Sequence, residues 1–438
     1  MRLVIKSVFV RRSVTVIGVV IFAGVVAWIA KTCAAYELAL TPTVKRLELA
    51  AKLDPNNAEY HLRLAGRYQY NVWDIQPEKA LEQLQEAVRL NPYNPEGWTE
   101  LARAMEFQGS MSKAEECLRK ADALAPNLPA YQWPIANFYL LQGNTDEAFR
   151  HFRPVLAGTS EYDQIVFRTA WRATDDGHKI LDQLIPQNVS TEFRYLYYLL
   201  SHQLFTEAQP VWKRILTGAE SFTPQQTAGY IDALIQARRP DGAYAVWTDL
   251  QRKGLVRHTE TGGPGNLLNN GDFEDELLNL GFGWRLATVE GVYAGLDPTT
   301  YHSPGRSLLV QFSGKQNLEY GNVYQYVKVE PNRVYRLEAF MKTDGITTDS
   351  GPRLEVRDAY DRAALDKYTD ELTGTSNGWT DLTFDFTTGP KTSLLVVALE
   401  RLPSKKLDNL IAGKVWVDDV RFTAVQNEGQ PSRGRTTP

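Results

Sequence analysis

The hydrophobic period of this chain changes at Gly262-Gly263-Pro264-Gly265. Upstream, apolar residues recur every three to four positions, as in helices with one buried face; downstream they alternate, as in strands with one buried face. A period that switches at a Gly/Pro cluster predicts two kinds of domain in series, helical and then β. The 438 residues are enough for two or three domains.

The first 35 residues have a separate character. Residues 14–30, VTVIGVVIFAGVVAWIA, carry no charge over 17 positions, the lower limit of the roughly 17–25 that span a bilayer. Arg2, Lys6, Arg11 and Arg12 precede this stretch and Lys31 follows it. The excess of positive charge before the span predicts a cytoplasmic basic segment at 1–12 and an anchor in the inner membrane at 13–35. Everything from about residue 36 is then periplasmic or extracellular. A cleaved signal peptide is the rival reading, with Cys33-Ala34-Ala35 as the small-residue cleavage site. Both readings put the rest of the chain outside the cytoplasm.

Charge and cysteine usage exclude several function classes. The net charge of -4 gives no basic footprint for nucleic acid. Cys33 and Cys117 are far apart and lack Cys or His neighbours at ligand spacing, so neither a disulfide framework nor a zinc site is expected. The six histidines are scattered.

Residues 43–253 contain an internal repeat. Leu53-Asp54-Pro55-Asn56 recurs as Leu90-Asn91-Pro92-Tyr93 and as Leu124-Ala125-Pro126-Asn127, with the prolines 37 and then 34 residues apart. From Pro95, the residues Trp98, Leu101, Ala102 and Met105 share one helical face, Gly109 marks a turn, and Ala114, Leu118 and Ala121 share a second face. Gln132, Ile135, Ala136, Tyr139, Gly143, Ala148 and Phe152 repeat the pattern, and His61, Leu64, Ala65, Tyr68, Ala80, Leu84 and Ala87 precede it. This resembles the tetratricopeptide repeat family, whose period is 34. The resemblance is closest over 58–157 and thinner over 160–253, where FTEAQPVWKRIL and PDGAYAVWTDL read as second helices. About five repeats behind a leading helix at 43–53 are expected, stacked as a superhelix whose groove takes a protein partner. The tryptophans 98, 133, 171, 212 and 247 are expected between helices. Ser110-Met111-Ser112-Lys113 matches a Ser-x-x-Lys nucleophile pattern, but it lies on a repeat turn and has no accompanying motif.

After a linker at 254–265, residues 266–425 read as strands: SLLVQFS (307–313), NVYQYVKV (322–329), VYRLEAFMKT (334–343), RLEVRD (353–358), WTDLTFDFTT (379–388), LLVVALER (394–401) and KVWVDDVRFTAV (414–425). Short alternating runs with turn signals between them suggest a sandwich or jelly roll. Residues 426–438 read as a disordered tail. The motifs NLLNNGDFE, Gly283-Trp284, PGRSLLV, NGWTDLTFDFT and VWVDDV, in that order, resemble the galactose-binding-like jelly roll of carbohydrate-binding modules of families 4, 9 and 22. The expected fold class is therefore multidomain: an N-terminal transmembrane helix, an all-α repeat superhelix and a C-terminal all-β jelly-roll sandwich.

The resemblance implies a structural calcium ion tying the first strand, NLLNNGDFE, to the last. Its ligands would come from Asp272, Glu274, Asp418 and Asp419, because calcium takes six to eight oxygens. It also implies a glycan. In VYQYVKV the valines share one face and Tyr324 and Tyr326 the other, so core-facing valines predict an exposed aromatic stripe. Tyr293, Arg336, Phe340 and Arg357 complete the expected ligand set. Trp284 and Trp379 are expected in the core. No pair of carboxylates is marked out as a glycosidase would need, and the chain is expected to be non-catalytic. Two functions are compatible with this reading: an adaptor that binds a protein and a polysaccharide or oligosaccharide, or an assembly scaffold whose sandwich binds no sugar.

Overall fold

The computed structural model describes residues 8–71, 75–257 and 265–425. The basic residues Arg2 and Lys6, most of the linker and the tail at 426–438 lie outside them. The chain divides into two compact units, 1–198 and 199–438.

The first unit is helical. Helix α1 (Val8–Leu40) is followed by α2 (Val44–Leu53), then by the hairpins α3 (Ala58–Tyr70) with α4 (Pro77–Leu90), α5 (Pro95–Phe107) with α6 (Met111–Leu124), and α7 (Pro129–Leu141) with α8 (Thr145–Gly158). The starts of these helices are written in the sequence. Thr43, Asn57, Asn94 and Asn144 each accept a backbone N–H of the first turn, which satisfies donors the helix leaves open. Proline stands at the first turn of α4, α5 and α7, where no donor is needed. Gly109 and Gly143 close α5 and α7 with φ of 76° and 73°, a conformation in which a Cβ is crowded. The small repeat residues Ala65, Ala80, Ala102, Ala114, Ala121, Ala136 and Ala148 are all buried, as close helix pairing requires.

The repeat then becomes irregular. Helix α9 (Asp163–Ala173) is followed by α10 (Gly177–Lys179), which runs into a π turn at Ile180–Leu184 in place of a full second helix. Regular helices resume with α11 (Val189–Ser201), α12 (Phe205–Thr217), α13 (Ala228–Gln236) and α14 (Pro240–Arg252). Trp212 is buried among helices as expected, against Phe222 and Tyr230; Trp247 is fully buried, but its ring packs on Phe282 and Gly281; Trp98, Trp133 and Trp171 are only half-buried.

The second unit ends in a sandwich of β1 (Arg285–Leu286), β2 (Val292–Asp297), β3 (Ser307–Ser313), β4 (Tyr320–Lys328), β5 (Val334–Asp344), β6 (Arg353–Asp358), β7 (Asp366–Tyr368), β8 (Thr380–Thr387), β9 (Leu394–Arg401) and β10 (Ala412–Ala424). One sheet has the order β1-β4-β9-β6-β7 and the other β2-β3-β10-β5-β8; all their pairings are antiparallel. Val323, Val327, Leu337, Leu354, Val397, Leu399, Val415 and Phe422 interleave between the sheets with Trp284. One cation sits fully buried at the edge of this core. The Arg401 guanidinium donates to Asn317 Oδ1 (2.8 Å) and to the carbonyls of Leu318 (2.5 Å), Ser350 (3.2 Å) and Asn409 (3.1 Å). Burial lowers its pKa, and the ring of acceptors replaces its lost water.

The motif NLLNNGDFE is not a strand. Asn270 and Phe273 take φ of 51° and 54°, which breaks an extended run. The motif does lie against the last strand, as expected. Leu267 N donates to Phe422 O (2.8 Å), Val420 N to Gly271 O (2.8 Å) and Phe422 N to Asn266 Oδ1 (2.9 Å). Its asparagines act as backbone substitutes. Asn270 accepts from Asp275 N and donates to Asp275 O, both at 2.8 Å. Asn269 exchanges two backbone bonds with the buried Gln325 side chain, at 2.8 and 2.9 Å.

Candidate functional site

Three places in the molecule carry chemistry: the seam where the opening motif meets β10, the two outer faces of the sandwich, and the ends of the repeat helices.

At the seam, Asp418 is fully buried. Its Oδ2 accepts the backbone N–H groups of His302 (2.7 Å) and Ser303 (3.0 Å), and its Oδ1 that of Asp419 (2.8 Å). Burial pushes its pKa up to about 6; the three N–H bonds pull it down and the Asp419 charge adds to the rise. Asp419 sits at φ 49°, beside the β-bulge of β10, and its Oδ2 meets His302 Nδ1 at 2.6 Å. The His302 ring stacks on Phe340, with centroids 3.7 Å apart, and meets Trp379 edge-on. Glu274 Oε1 accepts Arg306 N (3.0 Å), and the Arg306 guanidinium binds the Glu274 carbonyl and the Glu276 carboxylate. Gly305 is glycine because a Cβ there would overlap the Glu274 carboxylate. Asp272 is half-buried nearby in sequence. The fit of a calcium ion can be judged from what these oxygens face. Asp418 Oδ2, Asp419 Oδ2 and Glu274 Oε1 are turned to nitrogens of the 302–306 loop, and Asp418 Oδ1 to the backbone N–H of Asp419. Among the described residues no three His, Cys, Asp or Glu side chains gather as a metal would need. Asp418, Asp419 and Glu274 are thus each held by donors of the chain itself.

The six expected ligand residues divide between two faces. Tyr324, Tyr326 and Arg357 point outward from the β4–β9 sheet; Tyr293, Arg336 and Phe340 point outward from the β5–β10 sheet. They cannot line one groove. On the β5–β10 sheet, Tyr293 is exposed, Arg336 forms a two-bond pair with Asp385 (2.6 and 2.9 Å), and Trp416 Nε1 donates to Asp297 (2.7 Å). Trp379 is half-buried rather than part of the core.

On the β4–β9 sheet the valines of β4 do face the core, and the tyrosines share the other face. Register places Tyr324 beside Ala398 and Tyr326 beside Val396, with Glu355 and Arg357 one strand further. The two tyrosine rings meet edge to face at 5.6 Å, and the Arg285 guanidinium lies 5.2 Å from the Tyr326 ring. The stripe is not exposed, however: both tyrosines are half-buried and all of β9 is buried on both faces. Alternation puts Glu355 and Arg357 outward on this face but says nothing of burial. Glu355 and Glu400, 2% and 3% exposed, both accept from Nη2 of Arg362. Burial, and then the charge of Glu400, raise the Glu355 pKa to about 7 against the pull of Arg357 and Arg362.

In the repeats, Tyr70 OH donates to Glu100 (2.8 Å), and Arg103 donates to both Tyr70 OH and Glu100. Tyr70, Phe107 and Leu141 are the last residues of α3, α5 and α7, and all three are exposed. The repeat therefore places a large apolar side chain at the same helix end three times.

Comparisons with known proteins agree with this architecture. Residues 265–405 match the family described as carbohydrate binding domain, and residues 76–132 match a tetratricopeptide repeat family. The chain carries tetratricopeptide repeats, which suggest protein interaction, and a carbohydrate-binding-type sandwich, which suggests carbohydrate binding. No curated protein matches the chain. Similar solved structures include a bacteriophage CBA120 tailspike protein's enzymatically active domain (14% identity, TM-score 0.27, 36% of this chain and 21% of that one). A family 4 carbohydrate-binding module is similar at 13% identity and TM-score 0.26, covering 36% of this chain and 99% of the module. A thermophilic repeat protein of Thermus thermophilus is similar at 24% identity and TM-score 0.27, covering 32% and 75%. The chain thus spans about a fifth of the tailspike domain's length.

Proposed function

We propose that this chain is a membrane-anchored, non-catalytic adaptor working in the periplasm or outside the cell. Its repeats hold a protein partner, its sandwich holds a glycan, and it serves the assembly or export of a surface polysaccharide. The observation behind the glycan is the outer face of the β4–β9 sheet. There Tyr324, Tyr326 and Arg357 flank the small residues Val396 and Ala398 on neighbouring strands, within the segment that matches a carbohydrate-binding family. Aromatic rings offer faces to sugar C–H surfaces, and guanidinium and carboxylate groups bond hydroxyls. Support for the partner comes from the exposed Tyr70, Phe107 and Leu141.

Support for a retained anchor comes from helix α1. It is long and apolar enough to cross a membrane, and it runs without a break from Val8 to Leu40. Its last turns are core: Ala35 and Ala39 pack with Leu47, Ala50, Tyr60 and Leu64. Cleavage after Cys33-Ala34-Ala35 would cut into the helix that completes the first helix pair. The charge asymmetry favours a cytoplasmic N-terminus.

The full chain, extracted in detergent, tests the proposal on a glycan array. Binding to a defined oligosaccharide class that is lost in Tyr324→Ala with Tyr326→Ala is the expected result; no binding by either form sinks the glycan reading. The scaffold reading also has an observation behind it, since the β4–β9 face is covered.

A further inference from the structure

Residues of the second unit itself cover that face, and the cover has a fixed end and a loose end. At the fixed end, Trp247 of α14 is fully buried and tilts against Phe282, with ring centroids 6.2 Å apart. Gly281, at φ 57°, lies so close to the Trp247 ring that a Cβ would come within 2.6 Å of it. At the loose end the contacts are polar. Asp241 at the start of α14 pairs with Lys328 (2.7 Å), and the Arg238 guanidinium lies 5.3 Å from the Tyr360 ring; Asp232 of α13 stays with the fixed end, pairing (2.5 Å) with the Arg285 that also donates to the Gly281 carbonyl. Tyr360 belongs to the β6–β7 turn, which covers the face from the opposite side and carries Arg362 onto Glu355 and Glu400. The α13–α14 turn and the β6–β7 turn thus meet above Tyr326.

Arg238 is an unusual residue for its position. It has φ 56° at the turn between the paired helices, where the α5–α6 and α7–α8 hairpins use Gly109 and Gly143. The α11–α12 hairpin uses Gln203 in the same way. A left-handed non-glycine residue costs roughly 1 kcal/mol or more and persists when its surroundings hold it. Here the side chain that glycine lacks is the one that reaches Tyr360.

We propose that the α13–α14 hairpin is a hinged roof over the glycan face. It pivots at Trp247 and latches through Arg238 and Asp241, so that roof closure and glycan binding compete. The inference rests on the glycan reading of the β4–β9 face. With Val396, Ala398 and Glu400 sealed, a sugar reaches Tyr324 and Tyr326 only when the latch parts. The Asp241–Lys328 pair, with its carboxylate exposed, is weak and screened by salt, which suits a latch; a buried indole on glycine suits a pivot. A roof made from the last repeat also gives a partner in the array a means of uncovering the sugar site.

The test uses the full chain in detergent, with Arg238→Gly and with Asp241→Lys. Arg238→Gly relieves backbone strain while removing the latch, so loss of folding is not its expected result. Calorimetric titration with the neutral probes xylohexaose, cellohexaose and laminarihexaose is paired with tetranitromethane nitration of Tyr324 and Tyr326, read by mass spectrometry. Both variants are expected to nitrate faster and to bind at least one probe about tenfold tighter than the parent, which is ~1.4 kcal/mol. Parent affinity is expected to rise with salt, and that of the variants to stay flat. Unchanged nitration overturns the roof. Faster nitration with affinity equal to the parent's overturns the competition while leaving the glycan reading intact. Faster nitration without binding of any probe by any form overturns the glycan reading and the competition together, and leaves the roof as a structural contact.

Discussion

The two outer faces of the sandwich are built from the same strand pattern and have opposite fates. On the β5–β10 sheet, the alternation of β5 predicts exposure correctly: Arg336 reaches solvent. On the β4–β9 sheet the same alternation puts Glu355, Val396, Ala398 and Glu400 outward, yet they are buried. The difference comes from other parts of the chain. Helices α13 and α14 and the β6–β7 turn lie on one face. A strand's own sequence reports which side a residue points to, and reports nothing of what later covers that side.

The largest expected break in this comparison is at the pivot. Trp247→Ala removes a fully buried indole and is expected to destabilise the second unit by about 3–5 kcal/mol, the usual cost for a buried Trp or Phe. Denaturant unfolding followed by fluorescence measures the loss, and nitration of Tyr324 should rise in parallel. A loss below ~1 kcal/mol would mean that the helices and the covered face are not joined through this contact.

The second break is by pH. Burial and the neighbouring Glu400 hold the Glu355 pKa near 7, above the ordinary 4.5 of a glutamate. The folded state therefore keeps a proton that the unfolded chain releases between those values. Stability from this group is full below about pH 4.5 and is lost as pH rises towards 7. Glu355→Gln is expected to flatten that part of the profile, so that the gap in midpoint between pH 5 and pH 7.5 shrinks by roughly 2–4 °C. The Arg336–Asp385 pair on the open face provides the contrast. It is solvent-exposed, and Arg336→Ala should move the thermal midpoint by less than about 1 °C at either pH.

How much of this was legible in the sequence follows the same division. The apolar period gave the paired helices α3–α8, and turn signals bounded the strands β3, β6 and β9 to the residue. It missed β1, β2 and β7, which are short or carry a glycine and no clean alternation. It missed the irregular stretch from Ala173 to Ile185, where a π turn replaces a repeat helix. Alternation marked the strand face of Tyr324, Tyr326, Arg336 and Arg357 but not that the six ligand candidates divide between two sheets, since period two separates faces within a sheet and not one sheet from another. The Arg238–Tyr360 contact joins residues far apart in sequence, and its local signal was an arginine where neighbouring repeats have glycine. The opening motif was correctly set against β10; its asparagines turned out to be hydrogen-bonding substitutes for backbone rather than part of a strand.

The smallest expected effect concerns that motif and separates two ways of joining it to β10. Carboxylates that meet at a seam need a counter-charge or donors. In this chain Asp418 has three backbone N–H groups, Asp419 has His302, and Glu274 has the backbone N–H of Arg306, whose guanidinium holds the Glu274 carbonyl. If these bonds are sufficient, chelator should leave the sandwich's melting midpoint unchanged, and millimolar calcium should raise it by less than about 1 °C, because a ligand that does not bind the folded state adds no stability. Arg306→Ala then becomes the sharper probe: it strips the guanidinium from the Glu274 carbonyl and from Glu276 and should lower the midpoint with or without calcium. A calcium-dependent rise of several degrees, or rescue of Arg306→Ala by calcium alone, would instead return the ion implied by the family resemblance and require the 302–306 loop to give up its hold on Asp418.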